Sequence, residues 1–487
     1  MSGSIGHSVK RAVLWRSGSQ IAAQTVAWAS TLAVVRILEP SDYGLFAMTQ
    51  VVLAFLSFLN GYGFASSLIQ ERQVEPLKVR QGFGLLLLVN AGIALIQLCL
   101  APLAAAWYRQ PVVADLLRVQ ALIFLATPFI ALPEVLLMRE LDFRRPALVT
   151  LGATLVSAAV ALTCALTGLG VWTLVYAPIA FFWCRAAGLV VAARFYVLPS
   201  FRFAGAGSML GFGLLMLGSH LFWTIVTQAD VFIASRSLGP HTLGLYAEAL
   251  FLTSLITYKF VPPLNEVAFP AYARIQHDGP LLAASFLKAV RLIMLATCPL
   301  YVGLAAVAPD AVAVVLGSKW TAMSPLVAIL ALAMPAITLH IMFAPAVNAL
   351  GHPRISLQAS LFGALVMPPA FLAGVHWGAT GLAFAWLLAF PVVPLFAFVR
   401  AKGVLGIDAR GLGLALAPGL GASAAMAVPV VLLGEALDDW QPWARLAAQM
   451  ATGGLAYGAV LLVASRATLD ELLLLIVRRR PEVQPAE

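Results

Sequence analysis

Three charged side chains inside one apolar stretch of this 487-residue chain could bind an ion or carry a proton. Glu248, Lys259 and Glu266 follow each other at steps of 11 and 7 residues. Because a helix turns 100° per residue, these steps return to within about 20° of one stripe. Pro262 and Pro263 are expected to interrupt the helix, which leaves the direction of Glu266 open. Lys259 is the deepest of the three and is a candidate anion ligand lining a cavity.

Arg16, Gln20 and Gln24 form a second polar stripe, since residues four apart share one side of a helix. In lipid such a stripe must face other helices or water. Gln20 and Gln24 either line a cavity or hold neighbouring helices together by hydrogen bonds. Arg16 lies near one end of its apolar run, where it either faces the cavity or extends to the membrane surface.

Lys288 and Arg291 lie one helical turn apart and offer two positive charges to one site. Such a pair suits a dianionic group such as a diphosphate, and arginine adds bidentate hydrogen bonding. The alternative is that both only mark the inner membrane surface. Arg185, an isolated cation in another apolar run, is a candidate for the same cavity.

Asp230, beside Gln228, is a lone carboxylate in an apolar run, and such groups serve as proton or sodium relays. It is equally well explained as the structural partner of a nearby cation such as Arg236. No catalytic constellation, metal-ligand spacing or phosphate-binding glycine loop accompanies these residues, so neither an enzyme nor a cofactor is predicted.

The elements that carry these side chains are predicted membrane helices. Hydrophobic residues make up 61% of the chain and charged residues 10%, against roughly 45–50% and 25% in soluble domains. This excludes a soluble enzyme, a disordered protein and a nucleic-acid binder, despite the net charge of +9. The sequence predicts an all-α polytopic membrane protein of about fourteen transmembrane helices, because a span needs about 20 apolar residues. The predicted spans are 12–37, 43–63, 82–106, 116–138, 146–168, 171–193, 208–233, 243–267, 284–306, 322–349, 355–376, 379–399, 411–434 and 443–465.

The distribution of basic residues predicts the orientation. With the N-terminus inside, nineteen of the 30 Lys and Arg residues lie in inside segments and six in outside segments. Cytoplasmic segments of membrane proteins carry such an excess. Both termini are therefore expected in the cytoplasm, with residues 468–487 as a cytoplasmic tail.

An internal repeat organises the chain. Residues 36–47 read RILEPSDYGLFA, and residues 236–247 read RSLGPHTLGLYA, with six identical positions. Both copies end an outward-running span, so the repeat is parallel, as in transporters with two related halves. The alternative is that both segments share proline and glycine only because each forms a turn at the outer membrane surface. The repeat predicts two six-helix lobes and two appended helices, at residues 1–203, 204–402 and 403–467.

Several motifs resemble those of the Wzx-type polysaccharide flippases, within the superfamily that also holds drug/cation antiporters and the lipid II flippase. Residues 36–45 follow the family pattern R-x-L-x-P-x-[DE]-[FY]-G-L, and a glycine-led run ending at Gln70 follows. Further family-like segments are LLMRELDF at 136–143, PAYARI at 270–275, GSKW at 317–320 and NALGHP at 348–353.

The resemblance implies a bacterial inner-membrane flippase that moves an undecaprenyl-diphosphate-linked oligosaccharide outward for surface polysaccharide or exopolysaccharide synthesis. It implies alternating access coupled to a proton or sodium gradient. It also implies membrane lipids and a polysaccharide polymerase or export machinery as partners, and no nucleic acid. The alternative is a cation-coupled exporter of small amphipathic molecules. The two differ in the expected sign of the cavity charge, basic for a diphosphate and acidic for a cation.

Overall fold

The computed structural model of the chain describes residues 2–57, 59, 76–140, 142–201 and 211–464. Within these ranges all regular secondary structure is helical. The chain divides into two compact units, Met1–Ala247 and Glu248–Glu487. The predicted lobes were defined by the repeat and not by compactness, and their boundary at 203/204 stays a prediction.

The first unit is built from long apolar helices with short connections. Its helices are α1 (Ser2–Ile37), α2 (Pro40–Ser57), α3 (Pro76–Tyr108), α4 (Val112–Gln120), α5 (Leu122–Arg139), α6 (Arg144–Leu166), α7 (Trp172–Ala192) and α8 (Gly211–Ser237). The next helix, α9 (Pro240–Arg274), begins in this unit and continues in the second. Pro262 and Pro263 do not interrupt it, so the predicted break between Lys259 and Glu266 is wrong.

The second unit contains the remaining helices and two short 3₁₀ turns. Its helices are α10 (Gly279–Ala306), α11 (Ala308–Val315), α12 (Ser324–Ala349), α13 (Pro353–Gly374), α14 (Gly378–Leu388), α15 (Val392–Leu405), α16 (Ala409–Ala436) and α17 (Pro442–Ala464). Aspartates cap two of them: Asp278 accepts from the amide of Leu281, and Asp408 from that of Gly411. Each cap satisfies an amide that the first helical turn leaves free.

These helices match the predicted spans in order. The helix pairs α4/α5 and α14/α15 each correspond to one predicted span, and the short α11 lies between two spans. In the described residues, nine helical stretches are long and apolar enough to cross a membrane, and one of them, Pro353–Leu405, covers two predicted spans. The all-α polytopic class is therefore confirmed, and the helices are compatible with the predicted fourteen spans.

The two copies of the internal repeat contact each other inside the first unit. A Cβ atom built on Gly44 would lie 1.9 Å from the carbonyl oxygen of Pro240, and one on Gly244 would lie 1.7 Å from that of Pro40. Both glycines lie inside helices, so they do not serve a turn with positive φ. They allow the first turns of α2 and α9 to approach at backbone distance, as small residues do where membrane helices cross.

The two appended helices pack on α10 within the second unit. Gly419 of α16 lies so close to α10 that an added Cβ would be 2.9 Å from the backbone of Met294. On α17, the Tyr457 hydroxyl donates to the carbonyl oxygen of Leu295 at 2.7 Å. Helices α16 and α17 are thus integral to this unit.

Candidate functional site

A polar chamber of about 740 Å³ lies within the first unit. Helices α1, α2, α5, α6 and α7 supply its walls. Its volume falls in the range of about 300–1,000 Å³ that is typical of small-molecule sites. The chamber is therefore the candidate functional site of this unit.

The wall from α1 is one regular face of the helix. The lining residues Gln20, Gln24, Ala27, Thr31 and Val34 recur at steps of four and three. These steps keep side chains on one side of a helix with 3.6 residues per turn. The face extends from Gln20 to Val34, about 21 Å of helix at 1.5 Å rise per residue. Of the predicted polar stripe, Gln20 and Gln24 line the chamber, and their function stays a prediction.

The facing wall from α6 repeats the same spacing with hydroxyl groups. Thr150, Thr154 and Ser157 line the chamber at steps of four and three. The hydroxyl of Thr154 donates to the carbonyl oxygen of Thr150 at 2.8 Å, and that of Ser157 to that of Ala177 at 2.8 Å. Each donated proton leaves the hydroxyl oxygen able to accept a further hydrogen bond.

An ion pair stands on the chamber wall. Arg185 Nη2 of α7 lies 2.7 Å from Glu134 Oε1 of α5, with 19% and 23% of the two side chains exposed. Arg185, the single cation of its apolar run, thus has an acidic partner on a neighbouring helix, and its role in binding stays a prediction. Close pairing in a partly dry site neutralises both charges, which makes an unpaired cationic role for Arg185 less favourable.

Two polar atoms on the chamber wall have no hydrogen-bond partner among the described residues. They are Arg185 Nε and the hydroxyl of Thr173, and both atoms are buried. Buried polar groups in proteins are normally satisfied, because an unpaired one costs about 1–3 kcal/mol. Such atoms on a cavity wall are suited to bind a polar ligand.

Asp230 of α8 is fully buried in the first unit. The hydroxyl of Tyr246 donates to Asp230 Oδ2 at 2.7 Å. Tyr246 is the repeat counterpart of Phe46, so its hydroxyl distinguishes the second copy of the repeat from the first. The guanidinium of Arg236, the predicted structural partner, lies 4.4 Å from the ring centre of Trp107.

The cation pair and Glu248 lie in the second unit. Lys288 is exposed and Arg291 half-buried on α10, three residues apart, and Glu248 of α9 is buried. None of the three lines the polar chamber. Arg16, Lys259 and Glu266 belong to α1 and α9, but their side chains lie outside the described residues. The structure thus brings together Gln20, Gln24 and Arg185 from the predicted set.

Sequence reasoning missed the hydroxyl residues Thr150, Thr154, Ser157 and Thr173 as cavity-lining groups. For Thr150, Thr154 and Ser157 the signal is the spacing of four and three that α6 shares with α1, whereas Thr173 lies on α7 outside this pattern. Periodicity of charged and amide residues alone does not single out these hydroxyl groups. Serine and threonine are common in membrane helices, which makes the signal weak without a facing helix to pair it with.

The fold is shared with solved membrane transporters. The chain matches "Lipid II flippase MurJ, inward closed conformation" with a TM-score of 0.74 at 13% identity, covering 93% of this chain and 98% of that one. It also matches an inward-facing multidrug resistance MATE family transporter of the MOP superfamily, with a TM-score of 0.62 at 14% identity. That match covers 80% of this chain and 99% of the transporter.

Curated relatives cover most of the chain. It is 26% identical to the "Succinoglycan biosynthesis transport protein ExoT" of Rhizobium meliloti (strain 1021), over 98% of both chains. It is 24% identical to the "Lipopolysaccharide biosynthesis protein WzxC" of Escherichia coli (strain K12), over 79% of each. These relatives and the fold confirm the predicted class, a multi-pass membrane transport protein and not an enzyme.

The family model described as "Polysaccharide biosynthesis protein" matches residues 33–325, more than half of the chain. That range includes the family-like segments at 36–45, 136–143, 270–275 and 317–320. The resemblance is confirmed, and the chain belongs to the polysaccharide biosynthesis protein family.

Proposed function

We propose that this protein is a flippase of the bacterial inner membrane that moves an undecaprenyl-diphosphate-linked oligosaccharide from the inner to the outer leaflet. The product serves assembly of a surface polysaccharide or exopolysaccharide. Transport proceeds by alternating access coupled to a proton or sodium gradient, with both chain termini in the cytoplasm. A polysaccharide polymerase and export machinery then act on the translocated unit.

The observation that carries this proposal is similarity to a succinoglycan biosynthesis transport protein over 98% of both chains. A likeness that covers every helix in order is expected when two proteins share a transport path and not merely one domain. The cationic candidates in the apolar stretches outnumber the acidic candidates there, Asp230, Glu248 and Glu266. This difference favours an anionic substrate over a cationic drug.

We propose Arg16, Lys259, Lys288 and Arg291 as the cationic residues that bind the diphosphate. Lys288 and Arg291 are the testable pair, since their positions on α10 are described. Residues three apart share a helix face, so one diphosphate can contact both. Replacing both by alanine is expected to weaken binding of undecaprenyl diphosphate. Arg410, exposed on α16, is the matched control.

Conditional deletion of the gene in its host tests the transport function. We expect loss of surface polymer and accumulation of lipid-linked repeat units, quantified by mass spectrometry. The accumulated units should resist a glycosidase added outside sealed spheroplasts, which places them in the inner leaflet. Wild-type and R410A genes should restore the polymer, and the Lys288→Ala/Arg291→Ala gene should not.

Normal polymer without accumulation, in a strain with no second flippase gene, would refute the flippase function. Export of small amphipathic molecules then becomes the better-supported function, and drug efflux from the same strains tests it. Accumulation that is fully accessible to the glycosidase would instead place the defect after translocation.

We propose Asp230 as the ion-coupling residue. Its carboxylate is buried and hydrogen-bonded to Tyr246, so a bound proton or sodium ion would change a specific contact. Asp230→Asn keeps the size of the side chain and removes its charge. If the residue couples transport to the gradient, the variant should bind substrate normally but lose acceleration by a proton or sodium gradient in proteoliposomes. Retained acceleration would exclude this role.

A further inference from the structure

We propose that the polar chamber of the first unit is a subsite for uncharged sugar residues of the transported glycan. The inference rests on the proposed function and adds the place and the chemical class of part of the substrate.

The charge of the chamber wall favours a neutral ligand. Arg185 and Glu134 are the charged residues among its described lining, and they pair with each other at 2.7 Å. A diphosphate placed here would face a carboxylate as well as a guanidinium, and the repulsion would offset much of the attraction. A sugar hydroxyl carries no charge and can contact either partner without breaking the pair.

The hydrogen-bonding groups of the wall match a polyhydroxylated ligand. Among the described residues, Arg185 Nε is a buried donor without a hydrogen-bond partner, and the Thr173 hydroxyl is a buried donor and acceptor without one. Thr154 and Ser157 already donate to carbonyl oxygens and retain acceptor capacity. Hydrogen-bond donors and acceptors therefore both occur on residues that line one space, as the alternating hydroxyls of a sugar ring require. A hydrocarbon chain in the same space would leave these groups unpaired.

The remaining wall supplies aromatic side chains on which a sugar ring can pack. The rings of Tyr43, Phe46, Phe181 and Phe182 line the chamber beside the polar groups. Sugar rings present C–H faces that pack on aromatic side chains, while their edges form hydrogen bonds. Small-molecule sites combine such apolar walls with a few placed polar groups.

Native mass spectrometry of the purified full-length protein tests this assignment. The two probes are undecaprenyl diphosphate without sugar and the lipid-linked oligosaccharide extracted from the host. We expect the wild-type protein to bind the sugar-bearing lipid about tenfold more tightly, the ratio that two net hydrogen bonds to the glycan provide.

Two variants with matched controls locate that preference. Ala158→Leu narrows the chamber, whereas Ala159→Leu adds the same bulk at the next residue of α6, which is exposed. Thr173→Val removes one hydroxyl with little change of shape, and Thr163→Val does so at an exposed position. The Ala158 variant should lower the ratio to about one and the Thr173 variant to about three. Both controls should keep the wild-type ratio.

Each outcome decides the proposal. A wild-type ratio near one means that the glycan contributes no binding, and the subsite does not exist. A preserved preference in both chamber variants places the glycan elsewhere and overturns the assignment, while the flippase function stands. Binding of neither lipid by the wild-type protein refutes the proposed function itself. Thr173→Val keeps the test decisive if Ala158→Leu fails to yield monodisperse protein.

Discussion

Replacing Gly44 by alanine tests the close contact between the two repeat copies. The added Cβ would lie 1.9 Å from the Pro240 carbonyl oxygen, and real Cβ contacts shorter than 3.0 Å are essentially never seen. The two helix starts must therefore separate by at least about 1.1 Å, the difference between these distances. The obstacle is a backbone carbonyl and not a flexible side chain, so rotamer changes cannot relieve it.

We expect Gly44→Ala to destabilise the protein by about 3 kcal/mol, the upper part of the range for overpacked sites. That corresponds to a more than hundredfold shift in the unfolding equilibrium. The assay is thermal unfolding of the purified protein in detergent, followed by size-exclusion chromatography. Gly92→Ala on α3 is the control, because a Cβ there meets nothing within 4 Å. The control should be neutral or slightly stabilising, since alanine favours helices over glycine.

A double-mutant cycle sharpens the result. Gly244→Ala introduces the mirrored clash, 1.7 Å from the Pro40 carbonyl oxygen. Once one substitution has separated the helices, the second has to displace them less. The double variant should therefore lose less stability than the sum of the two single losses. If Gly44→Ala melts at the temperature of the Gly92 control, or if the two effects are fully additive, the reciprocal contact described here is wrong.

Three further predictions concern the ion pair, the buried aspartate and the orientation. Glu134→Ala should destabilise the protein by about 3 kcal/mol because it leaves Arg185 unpaired, and adding Arg185→Met should recover most of that loss; thermal unfolding measures both, and a fully stable single variant would contradict the pairing. Tyr246→Phe removes the donor to Asp230 and should cost about 1.5–3 kcal/mol, as for hydrogen bonds to charged groups; Tyr196→Phe, at an exposed ring, should cost nothing. A fluorescent protein that folds only in the cytoplasm should be bright when fused to the C-terminus, and a dark, fully expressed fusion would reverse the predicted topology.

The fold was predictable from the sequence because lipid imposes a one-dimensional rule: each span is a run of about 20 apolar residues. The helical face of Gln20 and Gln24 was predictable for the same reason, since periodicity acts within one helix. Contacts between helices follow a different rule. Arg185 and Glu134 are 51 residues apart in the chain, and nothing in either segment indicates the other.

The glycines of the repeat show a second limit of prediction from the sequence. The sequence revealed that Gly44 and Gly244 occupy equivalent positions, but it offered a turn as a sufficient explanation for both. Glycine is required at both positions because each lies against the other repeat copy, and this contact is visible only once the helices are packed. The Thr173 hydroxyl could not be predicted as a candidate binding group for the same reason. It became a candidate because it is buried without a hydrogen-bond partner among the described residues, and this depends on packing.

The ion pair between α17 and Asp310 has a consequence for synthesis. Arg445 of α17 binds both carboxylate oxygens of Asp310, at 2.8 and 2.6 Å, and Asp310 is 4% exposed. The arginine is made 135 residues after the aspartate, which at 5–20 residues per second is a delay of roughly 7–27 s. During that interval the carboxylate must stay hydrated, since burial without its partner is costly. The charge of Asp310 in the second unit therefore stays unpaired with Arg445 until α17 has been made, and a nascent chain released before that point would leave this carboxylate without that partner.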